Sequence, residues 1–102
     1  MYEESIQVPL MVPSMVCYPK EIQPGSVNEN MVLNLDFSET FLEYAGVKIP
    51  GDMQGKSIRP LLQERENNNW RTSFYYLYYE YPGPHKVRPH YGTWNAQYKL
   101  IY

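Results

Sequence analysis

The stretch that decides the fold runs from Tyr75 to Tyr102 and reads YYLYYEYPGPHKVRPHYGTWNAQYKLIY. Tyrosines crowd two strand-like runs, and the loop between them carries both histidines of the chain, His85 and His90. Lys86 and Arg88 lie in the same loop, and three prolines limit how its backbone bends: Pro82, Pro84 and Pro89. Histidines and cations on a stiff loop between strands predict contact with an anionic or sugar-like ligand.

The residues around this loop predict a small antiparallel sheet. Phe74 to Tyr81 alternates aromatic side chains so densely that we expect both faces of that strand to be covered, at least partly. Tyr91 to Trp94 and Tyr98 to Tyr102 read as two further short strands. Together with the helix described next, they favour an α+β arrangement.

The best helix candidate ends at Gly46, a residue that readily takes the left-handed conformation after a helix. Asn34 or Asp36 is the expected N-terminal cap. Apolar residues recur at helical spacing and predict the buried face: Leu35, Phe37, Phe41, Leu42 and Tyr44. The polar residues Ser38, Glu39 and Thr40 are then expected on the opposite, solvent-facing side.

The remaining segments are shorter and less regular. Ile6 to Val12 is β-prone, but Pro9 and Pro13 each remove a ladder donor, so an edge or irregular strand is expected there. Residues 16–19 could continue that strand. We predict a turn at 23–26, a loop at 47–55, a helical turn at 57–62 and a polar surface loop at 64–69. Trp70 is expected to dock the last of these on the body of the protein.

Length and composition narrow the class of protein. The chain has 102 residues, enough for one domain at most, and a formal net charge of -2. The nine basic and eleven acidic residues are spread without long runs, so nothing in the sequence indicates the clustered basic surface that binds nucleic acid. The longest apolar run, Val8 to Val16, is broken by two prolines and is too short to span a membrane. A single cysteine excludes an internal disulfide framework.

Short motifs in chain order resemble type I sulfatases, especially the N-sulphoglucosamine sulphohydrolase-like and bacterial glycan sulfatases. The motifs are VPLMV at 8–12, NLDF at 34–37, MQGKS at 53–57, PLL at 60–62, EYPGPHKVRPHYG at 80–92 and YKLIY at 98–102. Each motif alone is weakly specific. Their order over nearly the whole chain makes the resemblance strong.

This resemblance implies the end of an alkaline-phosphatase-like α/β sulfatase core over residues 1–62 and a truncated C-terminal subdomain over residues 63–102. It also implies hydrolysis of a sulfate ester or sulfamate of a glycan. In the full-length enzyme a formylglycine nucleophile and a calcium ion would carry that chemistry. A sulfated glycan is the expected partner, and the periplasm, the cell exterior or the lysosome is the expected location.

The catalytic parts of such an enzyme are not recognisable in this sequence. The modified cysteine of the family lies in a Cys-x-Pro-Ser-Arg pattern, whereas Cys17 is followed by Tyr18, Pro19, Lys20 and Glu21. Cys17 is therefore predicted to be structural. The family's acidic metal ligands precede the part that this chain resembles. We predict no catalytic residue and no metal ligand here, and no sulfatase activity for the chain by itself.

The candidate substrate-binding residues all lie in or beside the proline-rich loop: His85, Lys86, Arg88, His90 and Trp94. Its cations would attract an anionic glycan over a distance. By resemblance, this region lies at the mouth of the sulfatase pocket, and Trp94 replaces a usual arginine. Structural roles are the alternative: histidines bonded to backbone carbonyls, solvated cations, and tyrosines in the sheet core. Zinc is disfavoured because two histidines without a third ligand rarely make a site.

Two other interpretations stay open at this point. The first is a small carbohydrate-binding or protein-interaction module built on the tyrosine-rich sheet. The second is a degenerate product without a stable function, whose exposed sheet edges and apolar strand favour aggregation.

Overall fold

Residues 3–13, 21–65, 69–84 and 86–102 are described by a computed structural model, without the side chains of Glu3 and Glu4. The chain forms two compact units. One consists of Met1–Met11 together with Arg71–Tyr102, and the other of Val12–Trp70. Each unit has its own secondary structure, so the two are described separately.

The first unit contains a three-stranded antiparallel sheet in the order β1-β2-β3. Its strands are Ser73–Tyr78 (β1), His90–Asn95 (β2) and Lys99–Ile101 (β3). Asn95 closes the turn between β2 and β3, because its Oδ1 accepts the backbone N–H groups of Gln97 at 2.9 Å and Tyr98 at 2.6 Å. The predicted small antiparallel sheet is confirmed.

The two faces of this sheet differ in exposure. Side chains alternate across a strand, and Tyr76 is 8% exposed whereas its neighbour Tyr75 is 57% exposed. Tyr79 and Tyr81, beyond the end of β1, are exposed as well. Both faces of this strand are at least partly covered, as predicted, but the cover is unequal. Tyr76 belongs to the covered face, and Tyr75 to the open one.

The N-terminal segment is not the predicted strand. A short helix, α1, covers Glu3–Ile6, and residues 7–13 have no regular structure. Pro9 and Pro13 explain the difference, because neither has an N–H to donate to a sheet ladder. The possible continuation of the strand at residues 16–19, with Cys17, lies outside the described residues.

The second unit contains the predicted helix, α2, over Asp36–Tyr44. It ends as expected: Gly46 has a φ of 71°, and the N–H of Val47 donates to the carbonyl of Leu42 at 2.9 Å. The predicted turn before α2 is also present, since the N–H of Ser26 donates to the carbonyl of Gln23 at 3.3 Å.

The fully buried residues of α2 are polar, so the prediction is wrong for Glu39 and Thr40, although Ser38 is exposed as expected. Asp36, Glu39 and Thr40 are the buried residues of the helix, whereas Phe41 is 70% exposed. Asp36 is not a simple cap either, because the N-cap position is Leu35 and carries no side-chain capping bond. Sequence periodicity misassigned these residues because Asp36, Thr40 and one carboxylate oxygen of Glu39 are hydrogen-bonded, which offsets the cost of their burial.

The partners of this polar face are backbone groups of the segment that follows. Asp36 Oδ1 accepts the N–H of Lys56 at 2.8 Å, and Glu39 Oε1 accepts the N–H of Gly55 at 2.7 Å. Thr40 Oγ1 accepts a third N–H, from Ile58, at 3.0 Å. The MQGKS motif thus has a structural role, because its backbone is fixed to α2 by side chains of the NLDF motif and the turn after it.

The apolar core of the second unit is small. The third helix, α3, covers Arg59–Leu62 and brings Leu61 against Ile58 and Trp70. Trp70 is 7% exposed, and its Nε1 donates to the carbonyl of Met31 at 2.7 Å. The predicted helical turn and the docking role of Trp70 are both confirmed.

An ion pair supports α3 from outside the core. Arg59 donates to both carboxylate oxygens of Glu21, at 2.7 and 3.2 Å, and its guanidinium lies 4.9 Å from the ring centre of Tyr44. The Nε2 group of Gln63 donates to the same carboxylate at 2.9 Å. The bond from Arg59 lowers the pKa of Glu21 below its ordinary value of 4.5, although desolvation opposes it.

Replacement of Glu21 tests this ion pair through its pH dependence. A carboxyl group with a lowered folded pKa stabilises the protein above its unfolded pKa, and loses that contribution as pH falls through the folded value. We therefore expect Glu21→Gln to lower the melting temperature at neutral pH and to match the wild type in strong acid. Thermal melts of both proteins from strong acid to neutral pH measure this difference in melting temperature. Exposed Glu29→Gln is the control, and parallel curves for wild type and Glu21→Gln would contradict the assignment.

Candidate functional site

His90 is the best-positioned of the candidate binding residues. It opens β2, and its ring stacks on Tyr78 with centres 5.2 Å apart, while Tyr76 meets it edge-on at 5.9 Å. His90 Nδ1 lies 2.9 Å from the carbonyl oxygen of Arg88. A carbonyl only accepts, so Nδ1 carries the proton of this bond and Nε2 carries the lone pair of the neutral ring. The contacts therefore fix both ring orientation and tautomer.

Lys86 and Arg88 lie in the loop before β2 with exposed side chains. Lys86 has a φ of 48°, in the left-handed region, and its N–H donates to the carbonyl of Gly83 at 3.2 Å. A tight turn thus fixes the backbone at this position. The Tyr81–Pro82 peptide bond near the start of the loop is cis. Both cations lie close in sequence to the oriented ring of His90.

Trp94 lies on the same face of β2 as His90, because the two are four residues apart on an alternating strand. Its ring contacts Phe74 at 5.6 Å between centres and is partly buried. Four residues of strand span about 13 Å. His90 and Trp94 would therefore contact different groups of an extended ligand rather than a single sulfate.

Gly92 lies between His90 and Trp94 on β2, and its lack of a side chain leaves room for the ring of Tyr76 to lie over the strand. A Cβ at Gly92 would lie 2.9 Å from the Cζ and hydroxyl oxygen of Tyr76, and would also strike the carbonyl oxygen of Leu100. The Tyr76 hydroxyl is buried, and the described residues provide no hydrogen-bond partner for it. Gly92 is thus required for the ring that supports His90.

The predicted substrate-binding set is only partly placed by the structure. His90 and Trp94 share a face of β2, and Lys86 and Arg88 precede it, whereas His85 lies outside the described residues. Their contact with substrate stays a prediction. Sequence reasoning missed Tyr76 and Tyr78 as supports for the imidazole. In the sequence, Tyr76 and Tyr78 alternate with Tyr75, which indicates that they share one face of the strand. Their contact with His90 depends on the register in which β1 pairs with β2.

The described part of the chain contains no group of three or more histidine, cysteine, aspartate or glutamate side chains arranged to hold a metal ion. Calcium, which the sulfatase resemblance implies for a full-length enzyme, therefore has no ligand set among these residues. Within the same residues, no helix is both long and apolar enough to cross a membrane.

Comparison with known proteins identifies the family. The family model described as N-sulphoglucosamine sulphohydrolase, C-terminal, matches residues 1–102. The chain is 43% identical to an N-acetylglucosamine-6-O-sulfatase of Bacteroides thetaiotaomicron over 100% of its length. It is 33% identical to the N-acetylglucosamine-6-sulfatase of Homo sapiens over 71% of its length. These relatives are sulfuric ester hydrolases.

A solved structure agrees with the sequence matches. It is a complex with the substrate D-glucosamine-2-N,6-O-disulfate, and it superposes with a TM-score of 0.77 at 45% identity over 83% of this chain. The chain spans 18% of that structure, 18% of the Bacteroides thetaiotaomicron enzyme and 12% of the human one. The few helices and the three-stranded antiparallel sheet match the C-terminal region of a sulfatase. The chain belongs to the N-sulphoglucosamine sulphohydrolase C-terminal family of the type I sulfatases.

Proposed function

We propose that this chain is the substrate-side segment of a sulfatase that removes 6-O-sulfate from glucosamine units of sulfated glycans. The observation that carries the proposal is the 43% identity to an N-acetylglucosamine-6-O-sulfatase over the whole chain. The solved relative holds as its substrate a glucosamine sulfated at N2 and O6. The two relatives therefore agree on the sugar and on one sulfate position.

The role proposed for this chain is binding. Residues 1–62 would complete an alkaline-phosphatase-like core, and residues 63–102 would begin the C-terminal subdomain. Formylglycine supplies a nucleophile to sulfatases, and calcium supplies positive charge for the sulfate oxygens. The described residues provide no ligand set for calcium. By itself the chain is expected to release no sulfate.

His90 is proposed to contact a polar group of the sugar. Tyr78, Tyr76 and the Arg88 carbonyl hold its ring, so little side-chain entropy is lost when Nε2 accepts a hydrogen bond from a ligand hydroxyl. A protonated ring would instead donate to a sulfate oxygen. Both hydrogen bonds need the same orientation of the imidazole ring, and Tyr78, Tyr76 and the Arg88 carbonyl fix that orientation.

Lys86 and Arg88 are proposed to attract the sulfated glycan rather than to hold it at fixed distances. Exposed cations act mainly on the rate of encounter, and salt weakens that effect. Trp94 is proposed as a packing surface for the next sugar unit, because it lies about 13 Å along the strand from His90. His85 completes the proposed set by its place in the loop.

A hybrid enzyme tests these roles. In it, residues 1–102 of this chain replace the matching segment of the Bacteroides thetaiotaomicron sulfatase, and release of sulfate from N-acetylglucosamine-6-sulfate is measured. We expect the hybrid to be active and His90→Ala to raise KM about 5- to 150-fold with a smaller change in kcat. That range corresponds to one lost hydrogen bond of about 1–3 kcal/mol.

Tyr98→Ala is the matched control, because Tyr98 is 74% exposed and lies in the turn after β2. It should leave KM unchanged. Equal KM values for the His90→Ala and Tyr98→Ala hybrids would contradict the binding role of His90. Binding of the sugar to the isolated chain, abolished by His90→Ala, would instead favour a binding module.

A further inference from the structure

The second unit contains a cleft of about 290 Å³ between a loop at 26–30 and the C-terminal end of α3. All the described residues that line it belong to this unit, whereas His90 and Trp94 belong to the first. Its volume is near the lower end for small-molecule sites, which is about 300 Å³. The cleft therefore suits a ligand about as large as a single sugar unit.

One wall of the cleft is a polar loop that contributes Ser26, Val27, Asn28 and Asn30. Ser26 Oγ donates to the carbonyl of Gln23 at 2.8 Å. Asn28 Oδ1 accepts both the backbone N–H and the Nδ2 group of Asn30, at 2.9 and 2.8 Å. Within the described residues, these bonds leave Asn28 Nδ2 as a donor and Asn30 Oδ1 as an acceptor for a ligand.

The other wall is formed by Leu61, Glu64 and Arg65. Leu61 is 6% exposed and is the apolar part of this wall. Glu64 has a φ of 54°, in the left-handed region where glycine is the usual residue after a helix. Its N–H donates to the carbonyl of Leu61 at 3.2 Å, and the N–H of Arg65 donates to that of Pro60 at 3.0 Å. The turn thus fixes the backbone that carries a carboxylate and a guanidinium group, in a conformation that is costly for glutamate.

The charges at the cleft favour an uncharged ligand. Glu64 and Arg65 have opposite formal charges, which cancel. The pKa of Glu21 is lowered mainly by the hydrogen bond from Arg59 and further by the positive charge of Arg65. The charge of Arg65 is therefore already balanced by nearby carboxylates, and no excess positive charge remains for a sulfate group. Hydroxyl groups of a sugar can instead donate to Glu64 and accept from Arg65 and Asn28.

We propose that this cleft binds an uncharged sugar unit, such as unsulfated N-acetylglucosamine, of the glycan on which the sulfatase acts. The inference rests on the proposed function, because that function is what brings a glycan to the chain. Asn28 and Arg65 donate to the hydroxyl groups, Glu64 accepts from them, and Leu61 contacts the C–H groups of the ring. The site holds the glycan by a unit that carries no sulfate.

NMR titration of the chain with N-acetylglucosamine tests the proposal. We expect saturable shifts of the backbone amide signals of residues 26–30 and 61–65, and smaller shifts of these signals with N-acetylglucosamine-6-sulfate. Absence of saturable shifts at these residues would overturn the proposal, and so would tighter binding of the 6-sulfate there. Shifts at His90 with the 6-sulfate report on the proposed function instead, so failure of one site is distinguishable from failure of the other.

Two variants separate binding from folding. Glu64→Gly removes the carboxylate and keeps the left-handed turn, because glycine takes that conformation readily. Asn28→Asp keeps the Oδ1 that accepts from Asn30 and removes the Nδ2 donor. We expect Glu64→Gly to weaken N-acetylglucosamine binding about tenfold and Asn28→Asp about fivefold, as for one lost hydrogen bond each, without a lower melting temperature.

Asp52→Gly is the matched control, since it removes an exposed carboxylate from a turn of the same unit. It should change the affinity by less than about twofold. Affinities of Glu64→Gly and Asn28→Asp equal to that of Asp52→Gly would overturn the proposal.

Discussion

Asp36→Ala is expected to destabilise the second unit strongly. The Asp36 side chain is fully buried, and it accepts the backbone N–H of Leu33 at 2.7 Å and that of Lys56 at 2.8 Å. Alanine would leave both donors without these partners. Each hydrogen bond to a charged group contributes about 1.5–3 kcal/mol, so the loss is about 3–6 kcal/mol. A domain of ordinary stability has only about 5–15 kcal/mol in total.

Urea denaturation followed by Trp70 fluorescence measures this effect. Trp70 is 7% exposed in the core of the second unit, so its emission reports on that unit when Trp94 is replaced by phenylalanine. Ser38→Ala, at an exposed position of α2, is the control and should shift the midpoint little. A midpoint for Asp36→Ala equal to that of Ser38→Ala would show that the polar face of α2 does not hold the unit together.

Gly92→Ala should have the second largest effect, in the first unit. The added methyl would strike the carbonyl of Leu100 and lie 2.9 Å from the ring of Tyr76. Crowding of this kind costs about 1–3 kcal/mol, which exceeds the 0.5–1 kcal/mol or so that alanine gains over glycine within a strand. The paired backbone of β2 and β3 leaves the Leu100 oxygen little room to move.

Amide hydrogen exchange at Tyr102 measures the loss, because its N–H donates to the carbonyl of Tyr91 at 2.8 Å across the β2–β3 pair. Exchange should accelerate about tenfold, as expected when crowding of about 2 kcal/mol is partly offset by about 0.7 kcal/mol gained by alanine over glycine. Gly51→Ala is the control, since a Cβ there meets no atom within 4 Å. Unchanged protection at Tyr102 in Gly92→Ala would contradict the close packing of Tyr76 over this position.

Local sequence signals predicted the elements that depend on local chemistry. The stop of α2 at Gly46, the turn at 23–26 and the three strands all follow from residue types at adjacent positions. Trp70 was placed correctly because a large ring after a polar loop has few alternatives to burial. The strand predicted at Ile6 to Val12 failed because its prolines outweighed its β-prone residues.

Features that depend on distant partners were not predictable. The burial of Asp36 and Glu39 depends on backbone donors at Lys56 and Gly55, 20 and 16 residues away. No periodicity within α2 signals those partners. The same holds for His90, whose support by Tyr76 and Tyr78 depends on the register of β1 against β2. The candidate residues were therefore visible in the sequence, whereas the contacts that orient them were not.

Sulfate release by the hybrid enzyme tests the central claim most directly, because the claim is that this chain acts as the substrate-side segment of a 6-O-sulfatase. Rates on D-glucosamine-2-N,6-O-disulfate should be compared for the intact Bacteroides thetaiotaomicron enzyme, the hybrid, and the same enzyme without the segment. The account predicts that the hybrid removes the 6-O-sulfate within about tenfold of the intact rate, a difference in activation free energy of about 1.4 kcal/mol, and that deletion abolishes turnover. A folded hybrid as inactive as the deletion would contradict it.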